Sequence, residues 1–355
     1  MKLPMKKFLL PSLISLNVLL TGCQSTLNNS DNEKTNSSEY FADSTEINQA
    51  LLVDESIDVI HPVADVEFTL KEKALNDDNI WPHIRSQLSF DIPQNSRLIS
   101  QRNWYARHPS YLKRVAKRAE PFLHYIVSEL EKNSMPIELA LLPVVESAFD
   151  PFAYSHGRAS GMWQFVPGTG ERFGMKQNWW YDGRRDVVAS TQGAISYLKY
   201  LHKYFDGDWL LALAAYNSGE GRVRRAVNKN KKLNKPTDFW SLSLPKETRA
   251  YVPKLLALAD IIKRPQDFNV TLYPIDNKAV LTQVDIKSQL DLAKAAQLAE
   301  LSLAELQRLN AGFNRWATDP DGPHHLLLPS HTVEKFQQGL SKLSKKDRLA
   351  WQRYK

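Results

Sequence analysis

Helical periodicity is the strongest constraint this chain places on its own fold. In "YLKRVAKRAEPFLHYIVSELEKNSMP" (residues 111–136) the apolar positions Leu112, Val115, Ala119, Phe122, Ile126 and Leu130 recur at steps of three and four. That spacing lines one helical face with apolar side chains, with Pro121 as a kink or a boundary. "STQGAISYLKYLHKYF" (190–205) repeats the pattern through Ile195, Leu198, Leu201 and Phe205, with Ser190 as its start signal. "DWLLALAAYNSGEGRVRRAV" reads as a buried helix, a glycine turn and a basic helix, and "ETRAYVPKLLALADIIK" as a further helix entered past Pro253. A mainly α fold is expected.

Length and texture divide the chain. Its 355 residues, 43% of them hydrophobic, suffice for a substantial core and for more than one domain. Residues 24–76 are rich in Ser, Asn, Asp, Glu and Thr and offer little apolar area against ordering entropy, so residues 23–79 read as a tether. The folded body is expected to begin at "IWPHIRSQLSF", a short amphipathic stretch from Ile80, and to continue to Pro265 as a helical domain over 80–265. Residues 266–355 differ: an alternating strand candidate, two helical turns rich in Ala and Leu, the insertion "AGFNRWATDPDGP", and a second strand in "HHLLLP". This small α+β region, in strand-helix-helix-strand order, resembles a degenerate LysM unit, a module that grips GlcNAc-containing glycans.

The first residues read as a processing signal rather than a span. Lys2, Lys6 and Lys7 precede a short, proline-interrupted apolar stretch over 8–20, and "LTGC" follows at 20–23. These residues resemble a bacterial lipoprotein signal of residues 1–22, whose removal leaves Cys23 as a lipid-modified N-terminus. Cys23 is the sole cysteine, so no disulfide is expected, and Gln24 after it, rather than Asp, implies the outer membrane of a Gram-negative bacterium, with the protein facing the periplasm. Loss of the three leader lysines takes the net charge from +7 to +4. That mild basicity is compatible with an anionic polymer or a membrane surface.

The chemistry concentrates in "LLPVVESAFDPFAYSHGRASGMWQF" (141–165). Glu146 ends a mostly apolar stretch, where helix carbonyls and the neighbouring Val144 and Val145 disfavour its ionised form. A carboxyl group so placed can stay protonated near neutral pH and act as a general acid. The "GRASG" that follows lets backbone approach a ligand, and Trp163 and Gln164 suit an apolar sugar face and an amide. The competing reading is a glutamate at a helix end followed by a polar loop.

The combination of "ES" at Glu146 and Ser147 with "GMWQF", "AAYNSGEGRV" and "ETRAYVPK" resembles the lytic transglycosylase domain of the soluble-lytic-transglycosylase type. "ESAFDPFAYSHGRASGMWQFVPGTG" and "NWWYDGRRDV" resemble, more narrowly, the D type of the membrane-bound lytic murein transglycosylases. The likeness runs over roughly residues 101–329, with the motifs in order. It implies a lysozyme-like α-helical fold that cleaves the MurNAc-GlcNAc β-1,4 bond of peptidoglycan without water, leaving a 1,6-anhydroMurNAc end. It implies Glu146 as the sole catalytic residue, Ser147 bonded to Glu146 to orient it, and Tyr251 reaching the catalytic carboxyl. Met162 and Gln164 would line the glycan site, and Tyr216 with Asn217 would border the cleft. The substrate's own N-acetyl group would stabilise the cationic intermediate, so Asp150, Asp182 and Asp186 read as turn and salt-bridge residues. Competing functions are a hydrolytic muramidase using Asp150 as partner, and a non-catalytic glycan-binding lipoprotein scaffold.

Other chemistries lack support. "GTGERFG" has neither the spacing nor the preceding strand of a dinucleotide loop, the nine histidines show no paired metal spacing, and no Gly-x-Ser-x-Gly elbow is present. No cofactor or metal is expected. The basic run over 222–236 has no interleaved aromatic residues and reads as a solvated helix face, and an exported chain is not expected to meet nucleic acid.

Overall fold

The computed structural model describes residues 78–349. Cys23, the leader and nearly all of the tether expected over 23–79 lie outside the described residues. No helix among the described residues is long and apolar enough to cross a membrane.

Five helices lead to the site. They are α1 (Ile80–Gln87), α2 (Ser96–Arg107), α3 (Pro109–Ala119), α4 (Leu123–Lys132) and, after a 3-10 turn over Ile137–Leu141, α5 (Leu142–Ser147). Pro121 falls in the break between α3 and α4, where its missing N–H costs no helical hydrogen bond. Two further α-helices, α6 (Pro167–Arg172) and α7 (Val187–Tyr204), precede the hairpin of α8 (Trp209–Ser218) and α9 (Glu220–Lys232). Gly219 makes that turn at φ 84°, a conformation costly for any side chain. The long α10 (Lys246–Lys263) follows and packs against α2, α5 and α8.

Two boundaries differ from expectation. Asp186, not Ser190, starts α7: its side chain accepts the Ala189 N–H at 2.8 Å, while Ser190 lies inside the helix and bonds back to the Asp186 carbonyl at 2.6 Å. Asp186 is the better N-cap because its carboxylate also meets the positive end of the helix dipole. Likewise α10 does not begin after Pro253 but runs through it. Burial of most of this helix outweighs the one hydrogen bond a proline forfeits.

The α2–α10 contact also contains charge. Asp260, 1% exposed, accepts from Arg102 of α2 at 2.7 Å and from Arg264 at 2.7 Å, so its buried carboxylate is paired twice.

The C-terminal region follows the expected order: β1 (Leu281–Asp285), α11 (Leu292–Ala299), α12 (Leu303–Leu309), β2 (His325–Pro329) and α13 (Val333–Ser341). The strands pair antiparallel with Val284 opposite Leu326. Asp291 caps α11, and Ser302 with Glu305 forms a capping box on α12. Val284, Leu292, Leu306, Leu328 and Phe336 build the core here, and Tyr181 from the segment before α7 is inserted among them. Hydrogen bonds also cross the seam: Asp182 N–H donates to the Gly312 carbonyl at 2.8 Å, Asn314 N–H to the Trp180 carbonyl at 2.8 Å, and Asn178 to Asp319 at 2.7 Å.

Candidate active site

Glu146 owes its position to an abrupt helix end. Pro143 stands in the first turn of α5, where proline is tolerated, and one turn later Ala148 and Phe149 both adopt left-handed backbone at φ 52° and 58°. Such conformations cost about 1 kcal/mol or more each for non-glycine residues. Burial of both side chains, at 4% and 1% exposure, and hydrogen bonds from their N–H groups to the Val144 and Pro143 carbonyls offset that cost. The chain therefore reverses directly after Glu146, leaving its half-buried carboxyl at the carbonyl end of α5.

One face of α10 supplies the surroundings of that carboxyl. The Tyr251 hydroxyl, almost fully buried, donates a short hydrogen bond to Glu146 Oε1. Glu247 and Lys254 flank Tyr251 at helical steps of four and three, so all three project from one side of α10. Burial is the largest influence on Glu146 and pushes its pKa up to about 8; Tyr251 and Lys254 pull it back, and the Glu247 charge adds to the rise. Burial likewise holds the Tyr251 hydroxyl well above its ordinary range, with the Glu146 charge acting in the same direction, so Tyr251 remains a proton donor. Burial also lowers the pKa of Lys254.

The loop over 161–165 is held by its backbone. Ser147 Oγ lies 3.0 Å from the Met162 carbonyl and 3.2 Å from that of Pro143. Tyr216 Oη donates to the Trp163 carbonyl at 2.8 Å, Arg184 to the Phe165 carbonyl at 3.1 Å, and Gln164 Nε2 to the Gly161 carbonyl at 2.8 Å. Four of the five loop carbonyls thus meet a side-chain donor, which satisfies polar groups a buried loop would otherwise leave bare. Gly161 is required: at φ 82° its backbone passes so close to Arg184 that a Cβ would lie 1.9 Å from the Arg184 carbonyl oxygen.

This arrangement revises several expected roles. Ser147 ties α5 to the loop instead of bonding to Glu146. The Trp163 indole has no exposed surface and donates to Thr191 Oγ1 at 3.1 Å, so it has no face to offer a sugar. Met162, at 1% exposure, is core as well. Gln164 is half-buried with its amide nitrogen engaged, which leaves its carbonyl oxygen for a ligand. Asn217 bridges to α10, donating to Glu247 at 3.1 Å and accepting from Thr248 at 2.8 Å.

The aspartates have structural partners. Asp150 accepts the Phe152 N–H at 2.9 Å, Asp182 pairs with Arg184 at 2.7 Å, and Asp186 accepts from His325 at 3.3 Å besides capping α7. Glu247, Lys254 and Arg184 belong to the site yet escaped the sequence reading. For the first two the available signal was their spacing of four and three around Tyr251. Among the described residues no three His, Cys, Asp or Glu side chains converge as metal ligands.

Comparison with known proteins gives two family matches within the described residues. The family described as the transglycosylase SLT domain matches residues 125–239, and that described as the LysM-like domain of lytic transglycosylase MltD matches 280–345. Membrane-bound lytic murein transglycosylase D of Escherichia coli K12 is 40% identical over 331 residues, covering 93% of this chain and 70% of that one. The chain belongs to the membrane-bound lytic murein transglycosylase D family. A putative tributyltin chloride resistance protein of an Alteromonas species is also 40% identical, over 53% of this chain and 97% of that protein. Among solved structures, an inactive mutant of lytic transglycosylase Slt from Pseudomonas aeruginosa is 22% identical, with a TM-score of 0.35 over 56% of this chain and 35% of that one. Membership in the D family rests on the sequence relatives, and the two family matches fall in the helical region and in the C-terminal region described above.

Proposed function

We propose that the chain is a lytic transglycosylase that cleaves the MurNAc-GlcNAc β-1,4 bond of peptidoglycan without water, with Glu146 as both acid and base. The observation that carries this reading is a single carboxyl at a helix end, hydrogen-bonded by a buried tyrosine in surroundings whose burial pushes its pKa up to about 8. Protonated Glu146 gives its proton to the glycosidic oxygen as the C1–O bond breaks, and the departing GlcNAc keeps that proton. The substrate's N-acetyl oxygen shares the positive charge left at C1. Glu146, now a carboxylate with Tyr251 donating to it, takes the proton of the MurNAc 6-hydroxyl, whose oxygen bonds to C1 and closes the 1,6-anhydro ring. Glycosidases that use water or an enzyme nucleophile need a second carboxylate. Asp150 has its Oδ1 in a turn, and Glu247 is exposed and accepts from Asn217, so neither is arranged as a dedicated partner.

In this reading Gln164 meets the glycan through its free carbonyl oxygen, and Ser147, Met162, Trp163 and Tyr216 shape the loop beneath it. Asn217 fixes the start of α10 and thereby Tyr251. We further propose the division into a catalytic part over 80–265 and a LysM-like part over 266–355, with residues 1–22 as leader and a tether over 23–79. Lipid on Cys23 would hold the enzyme at the outer membrane, facing the periplasm.

The test is mass spectrometry of products released from isolated peptidoglycan by the protein lacking its leader, beside Glu146→Gln. The expected result is anhydro muropeptides from the parent, with loss of at least about 10²-fold in the variant, the lower end for general acid–base catalysis. Reducing MurNAc ends would make the protein a muramidase. Full activity in Glu146→Gln would remove Glu146 from the mechanism.

A further inference from the structure

The indole assigned to sugar by sequence, Trp163, is buried, but other indoles are not. Trp179 is 57% exposed and Trp316 37% exposed. Both meet Trp180: ring centroids lie 4.7 Å apart for Trp179 and 5.7 Å apart for Trp316, edge to face in each case. Trp180 packs against the core of the LysM-like region and so anchors the group. Arg315 lies 3.9 Å above the Trp179 ring and donates from Nε to the Trp179 carbonyl at 3.1 Å. Side chains of both parts of the protein therefore converge at the seam: Trp179 and Trp180 from the segment before α7, Arg315 and Trp316 from the insertion before β2.

Three properties indicate an occupant. The rings are preorganised, since Asn178 Oδ1 accepts the N–H groups of Trp180 and Tyr181 and fixes the segment that carries them, so little freedom is lost on binding. Indole rings carry negative π density, which attracts the slightly positive C–H groups on the flat face of a pyranose, and Trp179 and Trp316 keep exposed surface beyond the Arg315 contact. Arg315 adds a cation beside the rings, which suits a polymer that carries carboxylates. The same segment is continuous with the catalytic loop: two residues beyond Asp182, Arg184 holds the carbonyls of Phe165 and Arg158 at 3.1 and 2.8 Å.

We propose that the exposed rings of Trp179 and Trp316, braced by Trp180 and accompanied by Arg315, form an aromatic contact site for a peptidoglycan glycan strand at the seam between the catalytic and LysM-like parts. This rests on the reading of the protein as a peptidoglycan enzyme and adds a second place where the strand is held. Rigid aromatic anchors dominate binding at many interfaces, and their truncation commonly costs tenfold or more.

The test uses the protein without its leader in the Glu146→Gln background, so that binding is measured without turnover. Long, peptide-free glycan strands are the probe. Trp179→Ala with Trp316→Ala is expected to weaken binding about tenfold, equivalent to about 1.4 kcal/mol. Trp179→Phe, which keeps a ring, is expected to stay within about threefold of the parent, about 0.65 kcal/mol. An unchanged thermal midpoint establishes that the paired variant is folded. Unchanged affinity in that folded variant would overturn the proposal. So would a loss seen only with intact sacculi and not with peptide-free strands, which would assign the patch to peptide or protein contacts. Failure of the underlying enzymatic reading would show separately, as absence of anhydro products from the protein with Glu146 intact.

Discussion

Tyr251→Phe isolates one hydrogen bond at the centre of the proposed chemistry. The substitution keeps the buried ring and removes only the hydroxyl that donates to Glu146 Oε1. A hydrogen bond to a charged group contributes about 1.5–3 kcal/mol, and one pKa unit corresponds to about 1.36 kcal/mol. Because the Tyr251 bond favours the carboxylate, losing it should raise the Glu146 pKa from about 8 by about one to two units. The free enzyme must carry the proton to act, so kcat/KM in the parent falls as pH rises through about 8. In the variant that decline should move up by about one to two pH units. At neutral pH kcat should drop by about tenfold to a hundredfold, because the acid is weaker and the carboxylate formed after proton transfer has lost its donor. The assay is the pH dependence of anhydro-muropeptide release at low substrate concentration, with thermal unfolding as the check on packing. An alkaline limb at the same pH as the parent, or at lower pH, would refute the assigned role of Tyr251.

Stability should respond to the same carboxyl with the opposite benefit. Between pH 4.5 and about 8 the unfolded chain ionises Glu146 while the folded chain keeps it protonated, so this group's contribution makes the fold less stable as pH rises through that window. Glu146→Gln should therefore unfold at higher temperature than the parent at pH 8, by the equivalent of a few kcal/mol, with the gap closing near pH 4; an equal midpoint at both pH values would contradict the buried-acid assignment. Asp186→Ala removes the α7 cap and the acceptor for His325 and for the Tyr181 hydroxyl. A loss of about 2–4 kcal/mol is expected in denaturant unfolding, with faster proteolysis between the two parts; wild-type stability would mean the seam does not depend on this carboxylate.

The helices were legible because burial on one face leaves a period in the sequence, and Leu112 to Leu130 show it plainly. Boundaries set by long-range packing were less so. Pro253 reads locally as a helix breaker, yet the surrounding α10 side chains are buried and the helix continues. Glu146 and Tyr251 could be paired only through family likeness, since 105 residues separate them and no periodicity connects them. Trp163 was misplaced because a tryptophan in a glycine- and serine-rich stretch looks exposed. Its indole is instead buried and bonded to Thr191, 28 residues on, in a loop whose carbonyls are capped by Ser147, Tyr216 and Arg184. Those donors come from separate elements and leave no local pattern.

Tyr181 gives the two-part organisation a practical meaning. It precedes α7 in sequence, yet its ring fills the interior of the C-terminal region beside Phe313 and Phe336. Cutting the chain after Arg264 would strip the cover from a large aromatic ring, and the severed C-terminal piece would be left with a hole of the same size. Neither half is therefore a cassette that can be exchanged with a relative's without carrying the matching ring or its socket.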